Sequence, residues 1–341
     1  MIIGIPRETM RNEKRVPLFP ETIRILQESV KSRYLIFLAE HDLGREIGLS
    51  DADWRKAGAL IVHDTASVYT PADLILKVKQ PLEQELGYYN RRGQGVCCFH
   101  HVSANRNSVE CLLQKGVVIL PWESHPESLI AMSKEVGPRI VLLLEKLRPN
   151  WRQSRIFIGG ARGTVGQHTI LSLLSAGGSL NLISCCDVDD GFFVSENTGL
   201  EFNTFGSRND QFFRSQIASS SIFILAAVTK NGAPRFIRRD HLYYLRYGAL
   251  VIQVSIDEGG NIDNSACRWL TSWDNPVYAV RWESGNKFDV VNIPNFPGCV
   301  NADKSSQALV KANLPYYVEI ISSWPKVPKK YVYHGSEVGV L

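Results

Sequence analysis

Short apolar runs of strand length recur along this chain with amphipathic stretches between them, and that alternation restricts its fold more than any other feature. In order they read IIGI, YLIFLAE, LIVHD, LILKVK, GVCCF, GVVILPW, RIFI, LNLISC, SIFILAAV and ALVIQVSI. Between them, PETIRILQES places Ile23 and Leu26 at helical spacing, and SDADWRKAG opens on a capping residue and closes at glycine. Parallel strands need a crossover connection, and a helix is the usual one, so the pattern predicts an α/β fold. The stretch 127–147 predicts a helix, RRDHLYYLRYG another, and a long one follows GCVNADK with Pro315 as a kink. Residues 190–215 are polar and aromatic without a clear period and yield no assignment.

With 341 residues there is room for two domains, each with its own core. A net charge of +4 is mild for that length and gives no reason to expect nucleic acid, which calls for a concentrated basic face. The start MIIGIPRETM has no basic segment ahead of a long apolar core, and no run approaches the length of a membrane span. Seven cysteines are an odd number, and Cys97-Cys98 and Cys185-Cys186 are chain neighbours without zinc-ligand spacing. They read as reduced, mostly buried thiols of a cytoplasmic protein.

RIFIGGARGTVGQHTILSLL carries the most chemistry. A strand enters Gly160-Ala161-Arg162-Gly163-Thr164-Val165-Gly166 and a helix leaves it. The usual G-x-G-x-x-G would need a glycine where Ala161 stands, so the turn is a G-x-x-G-x-x-G variant. Glycines let backbone approach a pyrophosphate whose charge the helix N-terminus stabilises. Asp187, near the end of LISCCD, is placed to accept hydrogen bonds from both ribose hydroxyls and to repel a 2′-phosphate, favouring NAD over NADP. Were the strand to end at Ser184 instead, NADP would stay open.

In the first half, Arg15 lies in a polar loop, where a guanidinium can grip a carboxylate through two parallel hydrogen bonds. Lys79 closes LILKVK, and His100 and His101 close CCFHH, at strand ends that face a ligand cleft in open α/β sheets. Adjacent strand residues alternate in direction, so one histidine is expected to point inward and one outward.

Taken together, GIPRET, NEKRV, ADLILKVKQP, FHHVSAN, IAMS, GAP, VIQVSIDEGG, VVNIP and ALVKANLPYYV resemble the alanine dehydrogenase and pyridine nucleotide transhydrogenase family, with saccharopine dehydrogenase and carboxyethyl-ornithine synthase as relatives. The resemblance spans nearly the whole chain. It implies two Rossmann-like domains with parallel sheets and a cleft between them, a substrate domain of residues 1–126 completed by 297–341 and an inserted dinucleotide-binding domain of residues 127–296. It implies that Arg15 and Lys79 hold a substrate carboxylate and that His101 is the catalytic histidine. Met132 and Ser133 match the segment near the nicotinamide, Asp257 the family's catalytic acid, and Asn292 its substrate-side asparagine.

The implied activity is NAD-dependent oxidation of an amino acid, with L-alanine and pyruvate as the default pair. An opine-type or saccharopine-type condensation is the alternative, needing a second carboxylate anchor for which Arg139 and Arg281 are candidates. GARGTVG and the late Asp187 look closer to saccharopine dehydrogenase, and the glycine-rich segment that alanine dehydrogenases carry ahead of the cofactor strand is here RPNWRQS. A non-catalytic nucleotide-binding subunit is a third reading. The partners implied are small amino and 2-oxo acids; a homo-oligomer is left open.

Overall fold

The computed structural model describes residues 1–102, 104–196, 198–206, 210–229, 232–267 and 269–335. The chain forms two compact units, Met1–Met132 with Asn301–Leu341, and Ser133–Val300.

The first unit follows the alternation closely: β1 (Ile2–Ile5), α1 (Pro20–Ser29), β2 (Ile36–Glu40), α2 (Asp51–Lys56), β3 (Leu60–Val62), α3 (Thr65–Tyr69), β4 (Leu74–Lys79), β5 (Gly95–Phe99), α4 (Arg106–Gln114) and β6 (Val118–Pro121). Ser50 caps α2 in a reciprocal box with Asp53. The six strands lie in the order β3-β2-β1-β4-β5-β6, all parallel. Strand order therefore reverses between β1 and β4, the switch point where open α/β sheets bind ligands. Every residue of β4 and β5 is buried, as expected of central strands covered on both faces. The long helix Ala302–Ser323 continues through Pro315, and its Leu309, Tyr316, Tyr317 and Ile320 pack into the same core as Ile3, Leu26 and Leu76.

In β4, Leu76 pairs with Cys97 and Lys79 with Phe99, so three steps on β4 face two on β5. This is a bulge of one residue. It matters below, because a bulge changes where the following side chain points.

The helix α5 (Pro126–Leu147) leads into the second unit, which holds β7 (Ile156–Gly159), α6 (Thr164–Ser175), β8 (Ile183–Asp187), β9 (Gly191–Val194), β10 (Glu201–Gly206), α7 (Asp210–Ser219), β11 (Ile222–Leu225), β12 (Ala249–Gln253), β13 (Tyr278–Arg281) and β14 (Lys287–Val291). Eight strands run in the order β13-β14-β12-β11-β7-β8-β10-β9. The interior pairs are parallel, but β9 and β13 are antiparallel to their neighbours, so this sheet is mixed where an all-parallel one was expected. Part of the unassigned stretch 190–215 is the β9–β10 hairpin. Its Phe192 and Val194 are exposed on the edge, which removes the apolar periodicity that marks a half-buried strand. RRDHLYYLR supplies one tight 3₁₀ segment, Arg239–Tyr244, rather than an α-helix. No helix among the described residues is long and apolar enough to cross a membrane.

Gly137 brings α5 against α6. A Cβ there would lie 2.5 Å from the backbone carbonyl oxygen of His168 and 2.8 Å from Ser172 Cβ. Backbone in a helix cannot step aside as a flexible side chain can, so overpacking outweighs the helix propensity that alanine adds. Gly137→Ala is expected to destabilise the protein by about 1–3 kcal/mol, seen as a lower urea midpoint at unchanged slope; a raised midpoint would contradict this packing.

Candidate functional site

Four loops leaving the ends of β1, β4, β5 and β6 carry the polar side chains of the first unit. After β1, Arg15 is buried, and its expected two-bond grip is present, but the carboxylate is Glu13. Arg15 Nε donates to Glu13 Oε1 at 2.8 Å and Nη2 to Oε2 at 2.6 Å. Nη1 meets the Met132 sulfur at 2.9 Å. A thioether is a weak acceptor, so this edge of the guanidinium is the one a ligand carboxylate would improve.

Lys77 and Lys79 both lie in β4. The ammonium of Lys77 is sealed in, donating to Glu85 Oε1 at 2.7 Å with Glu8 Oε2 at 3.6 Å. Burial works against its charge, but Glu8 and Glu85 more than compensate and hold its pKa above the usual lysine value. Burial likewise pushes the Glu8 carboxyl up to about 7, against the pull of Lys77. Glu8 Oε1 accepts the N–H of Val78 at 2.5 Å, inside the bulge, and so braces the turn of chain that delivers Lys79.

Lys79 Nζ lies 2.9 Å from His101 Nε2, within hydrogen-bonding distance. His101 stands beyond β5, with φ of +44°. Its N–H donates to Glu123 Oε1 at 2.6 Å, and the N–H of His100 donates to Glu123 Oε2 at 3.2 Å. The histidines do separate, though not by strand alternation: His100 is fully buried and His101 partly exposed because the chain turns left-handed between strand and helix. Neither ring nitrogen of His100 has a hydrogen-bond partner among the described residues, and burial lowers its pKa to about 4.

In the second unit the three glycines of the turn do different things. Gly160 has φ of +80°, and a Cβ on it would lie 2.7 Å from Ala227 Cα. At Gly166 a Cβ would lie 2.9 Å from Ala161 Cα, so this glycine lets α6 close onto the loop. Gly163 is exposed and would meet only the Gly160 carbonyl, at 3.3 Å; its open side leaves backbone within reach of a ligand. That division is what a pyrophosphate cradle requires: one glycine for the turn, one for close approach and one for packing. Thr164 and Val165 open α6, whose N-cap, Gly163, has no side-chain cap. The residues present fit a dinucleotide.

β8 ends at Asp187 rather than Ser184. Its Oδ2 accepts the N–H of Arg162 and its Oδ1 that of Val188, each at 2.8 Å, tying the glycine loop to the strand end. The Arg162 guanidinium turns the other way, to Thr204 Oγ1 at 2.5 Å and over the Phe193 ring.

Asp257 sits on the turn Ile256–Glu258 and accepts the N–H of Asn295 at 3.0 Å. Ser133 is buried on α5. Asn292 lies in the core. It is fully buried and donates to Tyr278 Oη at 2.8 Å and Trp269 O at 3.0 Å, while accepting from Gln253 Nε2 at 2.7 Å. Its amide joins a core network that also anchors Asn261 and Ile262 through Gln253 Oε1, next to the SIDEGG loop. Glu8, Glu13, Glu85 and Glu123 went unread in the sequence. Two lysines in an otherwise apolar strand were the available signal, because buried ammonium groups demand acidic partners.

One unit thus has a glycine turn shaped for a dinucleotide, and the other pairs Lys79, at the end of β4, with His101, just beyond β5, and carries Arg15 on the loop after β1. This is the build of a nicotinamide-dinucleotide oxidoreductase. Two family descriptions match, "Alanine dehydrogenase/PNT, N-terminal domain" over residues 4–133 and "Alanine dehydrogenase/PNT, C-terminal domain" over residues 147–330. Alanine dehydrogenase 2 of Staphylococcus aureus is 29% identical over 343 residues, covering 93% of this chain and 86% of that protein. A solved L-alanine dehydrogenase superposes with a TM-score of 0.72 at 23% identity, over 96% of this chain and 91% of that one. A transhydrogenase from Sinorhizobium meliloti superposes with a TM-score of 0.72 at 20% identity, over 99% of each chain. The chain belongs to the alanine dehydrogenase/PNT family. It is an alanine dehydrogenase-like oxidoreductase with a Rossmann-type, NAD(P)-binding fold.

The burial of His100 makes a prediction about acid. Folded, its pKa is near 4; unfolded, it returns to about 6.5, so between those values the unfolded chain binds a proton that the native one does not. His100 therefore contributes a loss of stability as pH falls from about 6.5 toward about 4, approaching about 1.4 kcal/mol per pH unit. Urea midpoints for His100→Phe should fall less steeply than those of the unaltered protein over that window; equal slopes would show that His100 is protonated in the fold.

Proposed function

We propose that this protein is an NAD-dependent amino-acid dehydrogenase that interconverts L-alanine with pyruvate and ammonia, the first unit holding the substrate and Ser133–Val300 the dinucleotide. The reading rests above all on Lys79 Nζ and His101 Nε2 standing 2.9 Å apart at the switch-point end of the first sheet. Oxidising an amino acid needs a carboxylate clamp, a group that takes and returns a proton near neutral pH, and a hydride acceptor.

The clamp is Arg15, with the carboxylate displacing the Met132 sulfur from Nη1 while Glu13 keeps the guanidinium in place. Lys79 supplies a second cation to the same carboxylate. His101 takes the proton released as the amine becomes an imine and returns it as that imine is hydrolysed to the oxo acid and ammonia. Bound at the glycine turn, NAD supplies the hydride acceptor. Backbone of Gly160 through Gly166 and the first turn of α6 hold its pyrophosphate, and the Asp187 carboxylate holds the ribose.

The opine-type alternative needs a second carboxylate anchor, and neither candidate favours it. Arg139 is buried and donates to Glu135 and to the Val300 carbonyl, and Arg281 is exposed on the edge strand β13. A small substrate suits this site better.

The test is turnover of NADH by the purified protein with pyruvate and ammonia, beside 2-oxoglutarate or glyoxylate with lysine or ornithine. Consumption with pyruvate and ammonia is the expected result. Consumption only in the mixtures with lysine or ornithine would make it an opine-type enzyme, and NADH binding without turnover of any mixture would leave a nucleotide-binding subunit. At saturating substrate, His101→Ala should lower the rate by roughly 10²–10⁴-fold with NADH affinity unchanged. If His100→Ala abolished turnover and His101→Ala did not, the assignment would be one residue out of register. For the cofactor, NADH should bind more tightly than NADPH, and Asp187→Ser should narrow the difference; equal affinities in the unaltered protein would remove Asp187 from the ribose.

A further inference from the structure

The rate attributed above to His101 depends on where its imidazole stands, and the backbone that carries it is in an unfavourable conformation. A non-glycine residue at positive φ is uncommon and is retained only where its surroundings impose it. Histidine at φ +44° therefore asks what imposes it.

The last paired residues of β5 and β6 are Cys98 and Pro121, so the ladder between them ends before His100. Past that point the N–H groups of His100 and His101 have no strand to donate to. Glu123 answers both. It sits on the tight turn Trp122–Ser124 directly after β6, and each carboxylate oxygen accepts one of the two N–H groups, at 3.2 and 2.6 Å. Two charge-assisted bonds from successive N–H groups to one carboxylate fix the rotation of the peptide between them. Asn105 closes the other side, donating from Nδ2 to the carbonyls of His100 at 3.2 Å and His101 at 3.1 Å.

We propose that Glu123 is the positioning residue of this site, acting through His101: its grip on the two backbone N–H groups holds His101 in the left-handed turn that sets Nε2 against Lys79 Nζ. Glu123 acts on the two backbone N–H groups. This builds on the reading of His101 as the proton acceptor, but the claim about geometry has its own measurement.

Three variants separate the possibilities. Glu123→Ala removes both acceptors and should lower kcat by up to about 10²-fold, the scale of a misplacement near 1 Å, with the KM for NADH unchanged. Glu123→Gln keeps one acceptor oxygen and should fall between, and it serves as the readable variant if the alanine form does not fold. Because Glu123 acts through His101, adding Glu123→Ala or Glu123→Gln to His101→Ala should cause no further loss in kcat. A kcat within two-fold of the unaltered value in both single variants, or the same fold-loss in the His101→Ala background, would overturn the proposal. If the unaltered protein turns over no amino acid, the functional reading fails. The positioning claim is then read from ¹⁵N NMR of the imidazole: the His101 Nε2 resonance should shift in Glu123→Ala and Glu123→Gln toward that of free histidine, while those of His63 and His334 stay put. An unmoved His101 resonance would overturn the claim on its own.

Discussion

An ammonium group cannot be left alone in an apolar interior, and much of the first unit's polar architecture follows from the one on Lys77. Its side chain is 1% exposed, on a strand buried along its whole length. Glu85 answers it from the turn after β4, and also accepts from Tyr69 Oη and from the N–H of Leu82, so one carboxylate binds α3, β4 and that turn together. Glu8 answers from the loop after β1, and its other oxygen reaches into the bulge of β4. Isolated buried ion pairs are weak stabilisers, because desolvation offsets the attraction. Here the benefit is geometric. The ions that neutralise Lys77 also fix the bulge, and the bulge aims Lys79.

The two units meet the same difficulty by different means. At the end of a strand the backbone N–H groups lose their ladder partners, and in a buried place each must find another acceptor. In the first unit, Glu8 supplies one at the bulge of β4 and Glu123 two beyond β5. In the second, Asp187 takes up the N–H of Arg162, while the Cys186 carbonyl accepts from Gly160 and Ala161. A carboxylate at a strand end is thus both a structural acceptor and a charge held at the edge where ligands arrive, which is why such positions are hard to assign to one role.

The alternation of apolar runs was enough to read most of the strands and the long helix α5, and the glycine turn was legible because its three glycines and its flanking strand and helix are contiguous. What escaped was whatever depends on distant chain. The partners of Arg15, Lys77 and His101 are carboxylates whose significance appears only once β1, β4, β5 and β6 lie side by side. The surroundings of Asn292 were hidden for a related reason: a short motif shows an amide but not the Gln253 and Tyr278 that bond to it. The β9–β10 hairpin was illegible because an exposed edge strand with Phe192 and Val194 outward has lost its polar face. His100 and His101 differ in burial, and a left-handed turn at His101 stands where strand alternation was expected.

The fork between Glu13 and Arg15 has a consequence for how such a chain can change over time. Both side chains are buried, with exposures of 0% for Glu13 and 2% for Arg15, and only Lys14 separates them. Removing either alone strands the opposite charge in a dry interior, a penalty on the order of 3–5 kcal/mol. Neither replacement can therefore precede the other without a less stable intermediate, even where the double replacement would be tolerated. Epistasis of this kind holds an arginine in place for its neighbour's sake, whatever its ligand, so a descendant that changed substrate would be expected to keep the pair and alter what Nη1 faces.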